Sequence, residues 1–298
     1  MDIFAIFSLL EQSPTLFLIT TFIVSLLVGS FLNVVIYRLP VMMEREWQAQ
    51  IDEVIANNTG NAHQNVNNDT FNLVKPDSTC PKCQHKIRAW ENIPIISWIL
   101  LGRKCSQCKA PISARYPMIE LLTAILSTLV AYELGYTTTG LGFILATWLL
   151  VAMTFIDFDK MLLPDSLTLS LLWVGLGLSL FPDTLAPNSA ILGAILGYLS
   201  LFSVYYVFKL ITGKEGMGFG DFKLLAALGA WVGWQQLPVI ILFSSLVGAV
   251  VGIAIMMLNK KDSNLAIPFG PYLAAAGWLT MLYGQHAIDW YLGTFIQR

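Results

Sequence analysis

Two carboxylates stand at the ends of apolar segments, where an acidic side chain is expected to have a role. Asp157 directly follows the apolar run 152–156, and Asp221 follows the glycine-rich run 216–220. Acids at the edge of a membrane span are costly unless they are paired or hydrated. Two neighbouring carboxylates would share one proton, because like charges a few ångström apart cannot both ionise. The ionised group would draw a proton from water while the other protonates the carbonyl oxygen or the leaving amine. The pair therefore predicts aspartyl-type hydrolysis of a peptide bond.

Simpler structural roles remain open for the acids in these two regions. Asp159 lies just beyond Asp157 and is expected to be more solvated, while Asp165 precedes an apolar segment as a natural helix N-cap. Asp221 also precedes an apolar segment, so it could simply cap a helix. The glycines before Asp221 allow close approach of backbone or substrate, which favours catalysis. We predict Asp157 and Asp221 as the catalytic pair, with capping as the alternative for Asp221.

Four cysteines form two C-x-x-C pairs, Cys80/Cys83 and Cys105/Cys108. Each pair presents two thiolates to one ion, and two pairs complete a tetrahedron around it. A closed shell of four sulfurs favours a structural zinc ion over a catalytic one. The even cysteine count also allows two disulfides, and the metal interpretation requires a reducing compartment. His85 could substitute as a ligand, although a surface position is favoured.

The composition predicts a membrane protein. Of the 298 residues, 56% are hydrophobic and 12% are charged, whereas soluble domains carry about 25% charged residues. The net charge of −2 gives no support for a nucleic-acid partner. We predict an all-α polytopic membrane protein with about eight transmembrane helices and a cytoplasmic zinc-ribbon-like module. The predicted spans are roughly residues 15–37, 117–134, 139–156, 166–181, 188–211, 222–235, 237–258 and 267–285.

The distribution of basic residues predicts the orientation in the membrane. The loop from Arg38 to Arg115 holds ten of the seventeen Lys and Arg residues. Alternate short connections carry Lys160, Lys209 with Lys214, and Lys260 with Lys261, and the intervening connections carry neither Lys nor Arg. The long loop and both Asp-containing turns are therefore predicted to be cytoplasmic, and both termini periplasmic.

The chain divides into three predicted regions. Residues 1–37 form a first transmembrane helix, which is retained because it lacks the basic start and cleavage site of a signal peptide. Residues 38–116 form the cytoplasmic loop, in which the Asn-rich stretch 48–75 is a flexible insertion and 76–116 is the metal module. Residues 117–298 form a membrane domain of seven helices. Within it, the i, i+4 pair Gly193/Gly197 predicts a close helix-packing surface.

The motifs, taken in this order, resemble those of the bacterial type IV prepilin peptidase/N-methyltransferases, which are GxGD-type membrane aspartyl proteases. The resemblance covers nearly the whole chain. Its motifs are Gly29–Pro40, the two C-x-x-C pairs followed by Arg115-Tyr116-Pro117 and Glu120, Phe155-Ile156-Asp157 with Leu163-Pro164-Asp165, Gly213–Lys223, and Ile267–Tyr272.

The resemblance implies two reactions at the inner membrane of a bacterium. The first cleaves the basic leader of type IV prepilins and type II secretion pseudopilins after a glycine, with Asp157 and Asp221 as the catalytic pair. The second methylates the new N-terminal amine, usually of phenylalanine, with S-adenosylmethionine as donor. The family associates methylation with the N-terminal region and its loop. No donor-binding motif is recognisable, so no methyltransferase residue is assigned. The oligomeric state is not predicted.

Three other functions fit parts of the pattern. The first is a peptidase without methyltransferase activity. The second is a transporter or channel with a regulatory metal loop, but a transporter should carry its acids near mid-span. The third is an assembly protein that docks through the module. Two roles also remain open for Lys223, which could influence Asp221 or extend to the interface, and Glu215 is favoured as a solvated loop residue over a contact for the leader.

Overall fold

The computed structural model describes residues 3–59, 70–259 and 267–295. Within these ranges the chain is helical and forms no strand; its β pairing is limited to two isolated bridges, Thr79 with Lys86 and Lys104 with Pro111. The all-α prediction is therefore confirmed. The helices are α1 (Ile3–Gln12), α2 (Pro14–Thr59), α3 (Ile96–Leu100), α4 (Arg115–Leu134), α5 (Thr138–Lys160), α6 (Asp165–Leu178), α7 (Pro187–Thr212), α8 (Phe219–Val232), α9 (Leu237–Asn259) and α10 (Gly270–Phe295).

Among the residues that the structure describes, five helical segments are long and apolar enough to cross a membrane, by length and composition. They are Pro14–Asn58, Arg115–Leu134, Thr138–Lys160, Pro187–Thr212 and Trp234–Leu258. The predicted number of about eight spans is not confirmed. The predicted spans 166–181 and 222–235 correspond to α6 and α8, which have 14 residues each. A helix of that length extends about 21 Å, which is shorter than the roughly 30 Å of the hydrocarbon core.

The chain divides into two compact units. The helical unit comprises Met1–Phe22 and Ile125–Arg298, and the cysteine unit comprises Ile23–Ala124. The boundaries fall inside α2 and α4. The two Asp-containing turns belong to the helical unit, and all four cysteines belong to the cysteine unit.

Helix α8 is the central element of the helical unit. Every residue from Leu224 to Val232 is buried, and the helix packs against α6, α7 and α10. By contrast, α9 is even more apolar but exposes large side chains such as Leu242 and Met257. A helix that is apolar all round must face either a protein core or lipid. Since α8 is too short to span and is enclosed by its neighbours, its apolar residues form the protein core, whereas those of α9 suit lipid.

The close packing of α8 against α7 depends on glycine. A Cβ atom at Gly193 would overlap the carbonyl oxygen of Gly229, and a Cβ atom at Gly229 would overlap the carbonyl oxygen of Gly193. One turn further, a Cβ atom at Gly197 would lie 2.6 Å from the carbonyl oxygen of Leu225. Small residues of this kind let two helix backbones approach closely. The predicted packing role of the Gly193/Gly197 pair is confirmed, and its partner is α8.

Helix α2 is longer than the sequence predicts. It continues past Pro40 to Thr59, so residues 48–59 are helical and are not the beginning of a flexible insertion. Within this segment the Gln48 side chain donates a 3.0 Å hydrogen bond to Asp52 one turn later. Residues 60–69, in the middle of the predicted insertion, lie outside the described residues.

Candidate active site and metal centre

Asp157 lies in the last turn of α5, close to the point where the chain leaves that helix. The helix ends at Lys160, and Met161 follows in the left-handed conformation, with its N–H bonded to the Asp157 carbonyl oxygen. The Asp157 side chain is 5% exposed. Its Oδ2 atom is buried without a hydrogen-bond partner among the described residues. Asp157 therefore has one free acceptor position in an enclosed environment.

Asp221 lies in the first turn of α8 but does not cap it. The N-cap is Gly218, three residues earlier, and no side chain caps the helix end. Asp221 is 8% exposed and interacts electrostatically with Asp157. The capping alternative considered for Asp221 is therefore wrong, and capping does not account for its burial beside a second carboxylate.

Glycines bring three segments around the two carboxylates. A Cβ atom at Gly220, immediately before Asp221, would lie 2.7 Å from the Cβ of Leu163. A Cβ atom at Gly270 would lie 2.5 Å from Asp157 Oδ2 and 3.1 Å from Leu163 Cδ1. The α5–α6 connection, the start of α8 and the start of α10 thus meet at contact distance, which side chains at these glycines would prevent.

Asp165 does not have the N-cap role that the sequence predicts. The N-cap of α6 is Pro164, and Asp165 is the first helical residue. Its two carboxylate oxygens accept hydrogen bonds of 2.6 and 2.7 Å from the Nζ of Lys223 on α8. This ion pair joins α6 to α8 two residues from Asp221. Asp159, as expected, is exposed.

The glycine-rich loop before α8 is attached to the end of α7. The Nζ of Lys209 donates a 2.7 Å hydrogen bond to Glu215 and a 3.2 Å hydrogen bond to the Tyr205 hydroxyl. Gly213 ends α7 with φ +68°, a left-handed conformation that glycine adopts readily. Glu215 is therefore engaged within the protein, which agrees with its favoured role as a loop residue.

The four cysteine sulfurs come together as predicted. All of the Sγ atoms lie within 4.8 Å of one another, with 3.8 Å between Cys80 and Cys108 and 3.9 Å between Cys83 and Cys105. A tetrahedral ion with Zn–S bonds of about 2.3 Å requires sulfurs about 3.8 Å apart. A disulfide requires about 2.05 Å, and all four cysteines are free. The cluster therefore fits one metal ion, and the disulfide alternative is wrong for this structure.

The two C-x-x-C turns repeat one backbone pattern. In the first turn, the Cys80 N–H bonds to the His85 carbonyl and the Gln84 N–H bonds back to Cys80. In the second turn, the Cys105 N–H bonds to the Ala110 carbonyl and the Lys109 N–H bonds back to Cys105. Gln84 and Lys109, the residues that follow the second cysteine of each pair, are both left-handed, with φ of 59° and 57°. The repetition gives each pair the same local geometry around its sulfurs.

Backbone donors favour the thiolate form of the leading cysteine in each turn. The N–H groups of Cys83 and Lys82 donate to the Cys80 sulfur and lower the pKa of its thiol to about 6. The N–H groups of Cys108 and Gln107 likewise lower the pKa of Cys105. Metals bind thiolate rather than thiol, so these turns are suited to cation binding before any ion arrives.

His85 contacts an acid and is not one of the four clustered ligands. Its Nε2 lies 3.1 Å from an oxygen of Glu91. The N–H of Arg88 donates to Glu91 and, with the Ser106 side chain and His85, lowers the pKa of that carboxyl to about 2. Glu91 is therefore held by His85, in the first turn, and by the backbone at Arg88.

Glu120 is a buried acid in the cysteine unit, and the sequence indicates it only as a part of the Arg115-Tyr116-Pro117 motif region. Glu120, on α4, is 7% exposed and accepts a 2.8 Å hydrogen bond from the Ile95 N–H. A Cβ atom at Gly29 would lie 2.7 Å from the Glu120 Cα. Its position within an apolar helix was the available signal, because acids in such segments rarely lack a role. Here Glu120 accepts a hydrogen bond from the backbone N–H of Ile95, a residue with the unusual φ of 60°.

Comparisons with known proteins agree with the division of the chain into a cysteine unit and a helical unit. The family model for the Bacterial Peptidase A24 N-terminal domain matches residues 23–134, and the model for the Type IV leader peptidase family matches residues 143–253. These ranges correspond closely to the cysteine unit and to most of the helical unit.

Curated relatives extend the match to nearly the full chain. A prepilin leader peptidase/N-methyltransferase from Aeromonas salmonicida (strain A449) is 53% identical over 95% of this chain and 96% of the relative. Proteins of the same name from Pseudomonas aeruginosa and Neisseria gonorrhoeae are 52% and 49% identical, over 95% and 91% of this chain and 96% and 93% of the relatives. No solved structure matches the chain.

Proposed function

The chain belongs to the type IV leader peptidase family, and from that premise we propose that it is a bifunctional enzyme that cleaves prepilins and methylates the products. The observation that carries the peptidase proposal is the buried pair of carboxylates from α5 and α8. Asp157 and Asp221 are 5% and 8% exposed and interact electrostatically. Burial of two acids side by side is unfavourable for stability, so a catalytic role explains an arrangement that packing alone does not.

The pair would hydrolyse a peptide bond as a base and an acid acting together. The ionised carboxylate takes a proton from water, whose oxygen attacks the carbonyl carbon, while the protonated carboxyl gives its proton to the carbonyl oxygen. When the tetrahedral intermediate collapses, the C–N bond breaks and the leaving nitrogen receives the proton that came from water. The other carboxylate recovers its proton from a hydroxyl of the intermediate. Both residues return to their starting states.

The substrates are prepilins and pseudopilins with a basic leader followed by an apolar helix. The leader would remain at the cytoplasmic face and the apolar helix would lie in the membrane, as the positive-inside rule requires. We place the enzyme in the bacterial inner membrane, with both Asp residues and the cysteine unit cytoplasmic and both termini periplasmic. The Lys and Arg residues of the loops support this orientation. Glu215 would not receive the leader, because it is paired with Lys209.

Methylation would follow cleavage. The new N-terminal amine has a reference pKa of about 7.7–8.0, so a useful fraction is neutral at cytoplasmic pH. Its nitrogen would take the methyl group from the sulfonium of S-adenosylmethionine, lose a proton and release S-adenosylhomocysteine. Alignment of the two reactants and exclusion of water are then the main requirements. The match of residues 23–134 to the N-terminal family domain supports the cysteine unit as the region involved.

We propose that the metal is zinc and that Cys80, Cys83, Cys105 and Cys108 hold it. The distances between the sulfurs suit a tetrahedral zinc ion. Four protein ligands leave no position for water, so the ion would order the two turns and take no part in either reaction.

Mass spectrometry of a prepilin incubated with the purified enzyme and S-adenosylmethionine tests the proposal. The expected product lacks its leader and carries one added methyl group at its N-terminus. Omission of S-adenosylmethionine should leave cleavage intact and abolish methylation. An intact prepilin after incubation with a folded, metal-loaded enzyme would overturn the peptidase assignment and favour an assembly or transport role.

A further inference from the structure

The cysteine unit carries a group of exposed apolar side chains at the short helix α3. The group consists of Ile93, Ile96, Ile99 and Leu100, which we call the α3 patch, and Ile99 and Leu100 are 62% and 77% exposed. Three of the four stand at i, i+3 and i+4 and therefore share one face of the helix, while Ser97 on another side is buried. Single exposed apolar residues are common, but a contiguous group indicates a surface that binds a protein or a membrane.

A residue of a candidate membrane span fixes the position of α3. Ile95 immediately precedes α3, and its N–H donates a 2.8 Å hydrogen bond to the Glu120 carboxylate. Glu120 lies on α4, which extends from Arg115 to Leu134 and is long and apolar enough to cross a membrane. The start of α3 is therefore at the level of the second turn of this span.

The length of α4 indicates how deep that level is. The helix has 20 residues and is therefore about 30 Å long, which matches the thickness of the hydrocarbon core of a bilayer. A span without spare length must begin close to the boundary between headgroups and hydrocarbon. Glu120 comes five residues after Arg115, so it lies about 7.5 Å further in. Ile95 thus meets α4 below the level at which this span begins.

Helix α2 gives the same depth independently. A Cβ atom at Gly29 would lie 2.7 Å from the Glu120 Cα, so α2 and α4 are in contact at this level. Gly29 belongs to the apolar part of α2, and the first basic residue after it is Arg38. The nine residues of helix between these two positions extend about 13.5 Å. Both spans therefore place the Ile95 N–H within the membrane rather than above it.

The hydrogen bond from Ile95 has a specific use at this depth. A backbone N–H without an acceptor is strongly unfavourable in hydrocarbon, and irregular backbone is tolerated there only when protein groups satisfy it. Ile95 has a φ of 60° and precedes the helix, and the buried Glu120 carboxylate accepts its N–H. An acid on a candidate span is thus accounted for by an irregular segment that enters the membrane boundary.

Basic residues stand on both sides of the α3 patch. Arg88 precedes it, Arg103 and Lys104 follow it, and all three are exposed. The only acid in the sequence between them is Glu91, which is paired with His85. Apolar side chains flanked by Lys and Arg are typical of segments that lie in the lipid interface, because the cations are attracted to anionic headgroups. The charges therefore favour a membrane over an apolar protein surface as the partner.

We propose that the α3 patch is inserted into the lipid interface of the same membrane that α2 and α4 cross, with Arg88, Arg103 and Lys104 at the level of the lipid phosphates. The apolar side chains enter the boundary between headgroups and acyl chains. The patch would then anchor the metal module at the membrane surface, where the new N-terminus of a cleaved pilin would emerge. The insertion depends on α4 crossing a membrane and not on either reaction.

A spin label at position 99 tests the insertion directly. The full-length enzyme is placed in nanodiscs of phosphatidylethanolamine and phosphatidylglycerol, with p-acetylphenylalanine in place of Ile99, and a nitroxide is attached to the ketone so that the cysteines stay unmodified. Collisions of the label with oxygen indicate lipid, and collisions with chromium oxalate indicate water. Since an ion enters hydrocarbon only at a large cost, we expect chromium oxalate collisions at least about tenfold rarer than at an aqueous position.

Two further label positions are the controls. Gln107 is an exposed residue of the second C-x-x-C turn, and the label there should collide mainly with chromium oxalate. Ile125 is an exposed residue further along α4, and the label there should collide mainly with oxygen. The bound metal is measured in each sample, because retained metal shows that the module is folded. The label at position 99 should resemble the one at position 125.

Two results would overturn the proposal. Chromium oxalate collisions at position 99 as frequent as those at position 107 would show a surface in water, which is available to a protein partner such as the prepilin. A label protected from both oxygen and chromium oxalate would show that protein covers the patch, either another part of the chain or a second copy.

The double variant Ile99→Asp with Leu100→Asp tests whether these side chains hold the patch in lipid. With the label at Ile96, we expect chromium oxalate collisions to rise at least about tenfold, because two carboxylates favour water over the interface. Val74→Asp, at another exposed apolar residue of the cysteine unit, is the matched control and should change nothing at the label. An unchanged label in a metal-loaded double variant would contradict the anchoring role; should the variant lose its metal, the label at position 99 still decides.

Discussion

The cysteine cluster and the carboxylate pair are built in opposite ways. The four sulfurs come from two short turns in one segment, 80–108, which share the same backbone hydrogen bonds. The carboxylates come from α5 and α8, and a third helix, α10, begins at Gly270, which is packed against Asp157. One site is fixed by local turns, and the other by the packing of helices that are distant in the sequence.

The two regions also differ in what stabilises them. Between residues 70 and 112 only Cys80, Pro94, Ser97 and Cys105 are buried. The helical unit has a continuous apolar core around α8, with Phe222, Leu224, Leu225 and Leu228 fully buried. A segment with so little core would rely on a bound ion for its stability, whereas the helices rely on close packing. Damage to one region should therefore leave the activity of the other largely intact.

The largest expected effect is the loss of cleavage in Asp157→Asn or Asp221→Asn. Each substitution removes a proton-transfer group, and cleavage of prepilin should fall by about 10³-fold or more. Methylation of a pre-cleaved pilin peptide should continue, because the cysteine unit is unaffected. Asp159→Asn, an exposed neighbour, is the matched control and should cleave normally. Parallel loss of methylation would show that the two regions are not separable.

Removal of the metal should reduce methylation and leave most of the cleavage activity. Structural zinc typically contributes about 10 kcal/mol or more to the folding of such modules. Cys80→Ser or strong chelation should therefore disorder the module, with loss of bound metal measured by plasma emission and at least about tenfold loss of methylation. Cleavage should fall far less.

Gln107→Ala, in the second turn but without a sulfur ligand, is the control for the metal experiment and should retain the ion. Zinc added back after chelation should restore methylation. A metal-free enzyme that methylates normally would contradict the dependence of this region on its ion.

A smaller effect is expected from Gly229→Ala at the contact between α7 and α8. The added methyl group would overlap the Gly193 carbonyl and push the two helices apart. We expect a loss of about 1–3 kcal/mol in stability, a lower thermal midpoint in detergent and about tenfold slower cleavage, with methylation little changed. Gly177→Ala, whose methyl group meets open space, should match the wild type. Equal melting of both variants would show that this contact does not limit stability.

The smallest effect concerns the ion pair between Lys223 and Asp165. Their side chains are 31% and 58% exposed, and such pairs contribute up to about 1 kcal/mol. Lys223→Met or Asp165→Asn should slow cleavage no more than about fivefold by loosening α8 from α6. The exchange of both residues, Lys223→Asp with Asp165→Lys, should recover most of that loss. A double variant slower than either single variant would refute a simple positioning role.

The sequence predicted the cysteine site better than the carboxylate site for a physical reason. C-x-x-C spacing constrains two sulfurs through a few backbone dihedrals, so the ligand set follows from the order of residues. Whether an acid caps a helix depends on where that helix begins. Asp165 and Asp221 both fit the N-cap pattern, yet Pro164 and Gly218 occupy the caps.

The number of membrane-spanning helices is also difficult to predict from the sequence. The apolar segments of α6 and α8 resemble membrane spans in composition, and they account for two of the roughly eight predicted spans. An apolar helix is equally stable in lipid or in a protein core, so composition does not distinguish the two. Only the packing of α6, α7 and α10 around α8 shows that the core encloses it.

Composition and local spacing were enough to predict the membrane-protein class, the clustering of the four cysteines and the two acids proposed as the catalytic pair. Only the folded structure shows that α5, α8 and α10 meet, that Lys223 pairs with Asp165 and that Gly270 packs against Asp157. Such contacts join residues far apart in the chain. They depend on how closely the helix backbones approach one another, which local sequence does not specify.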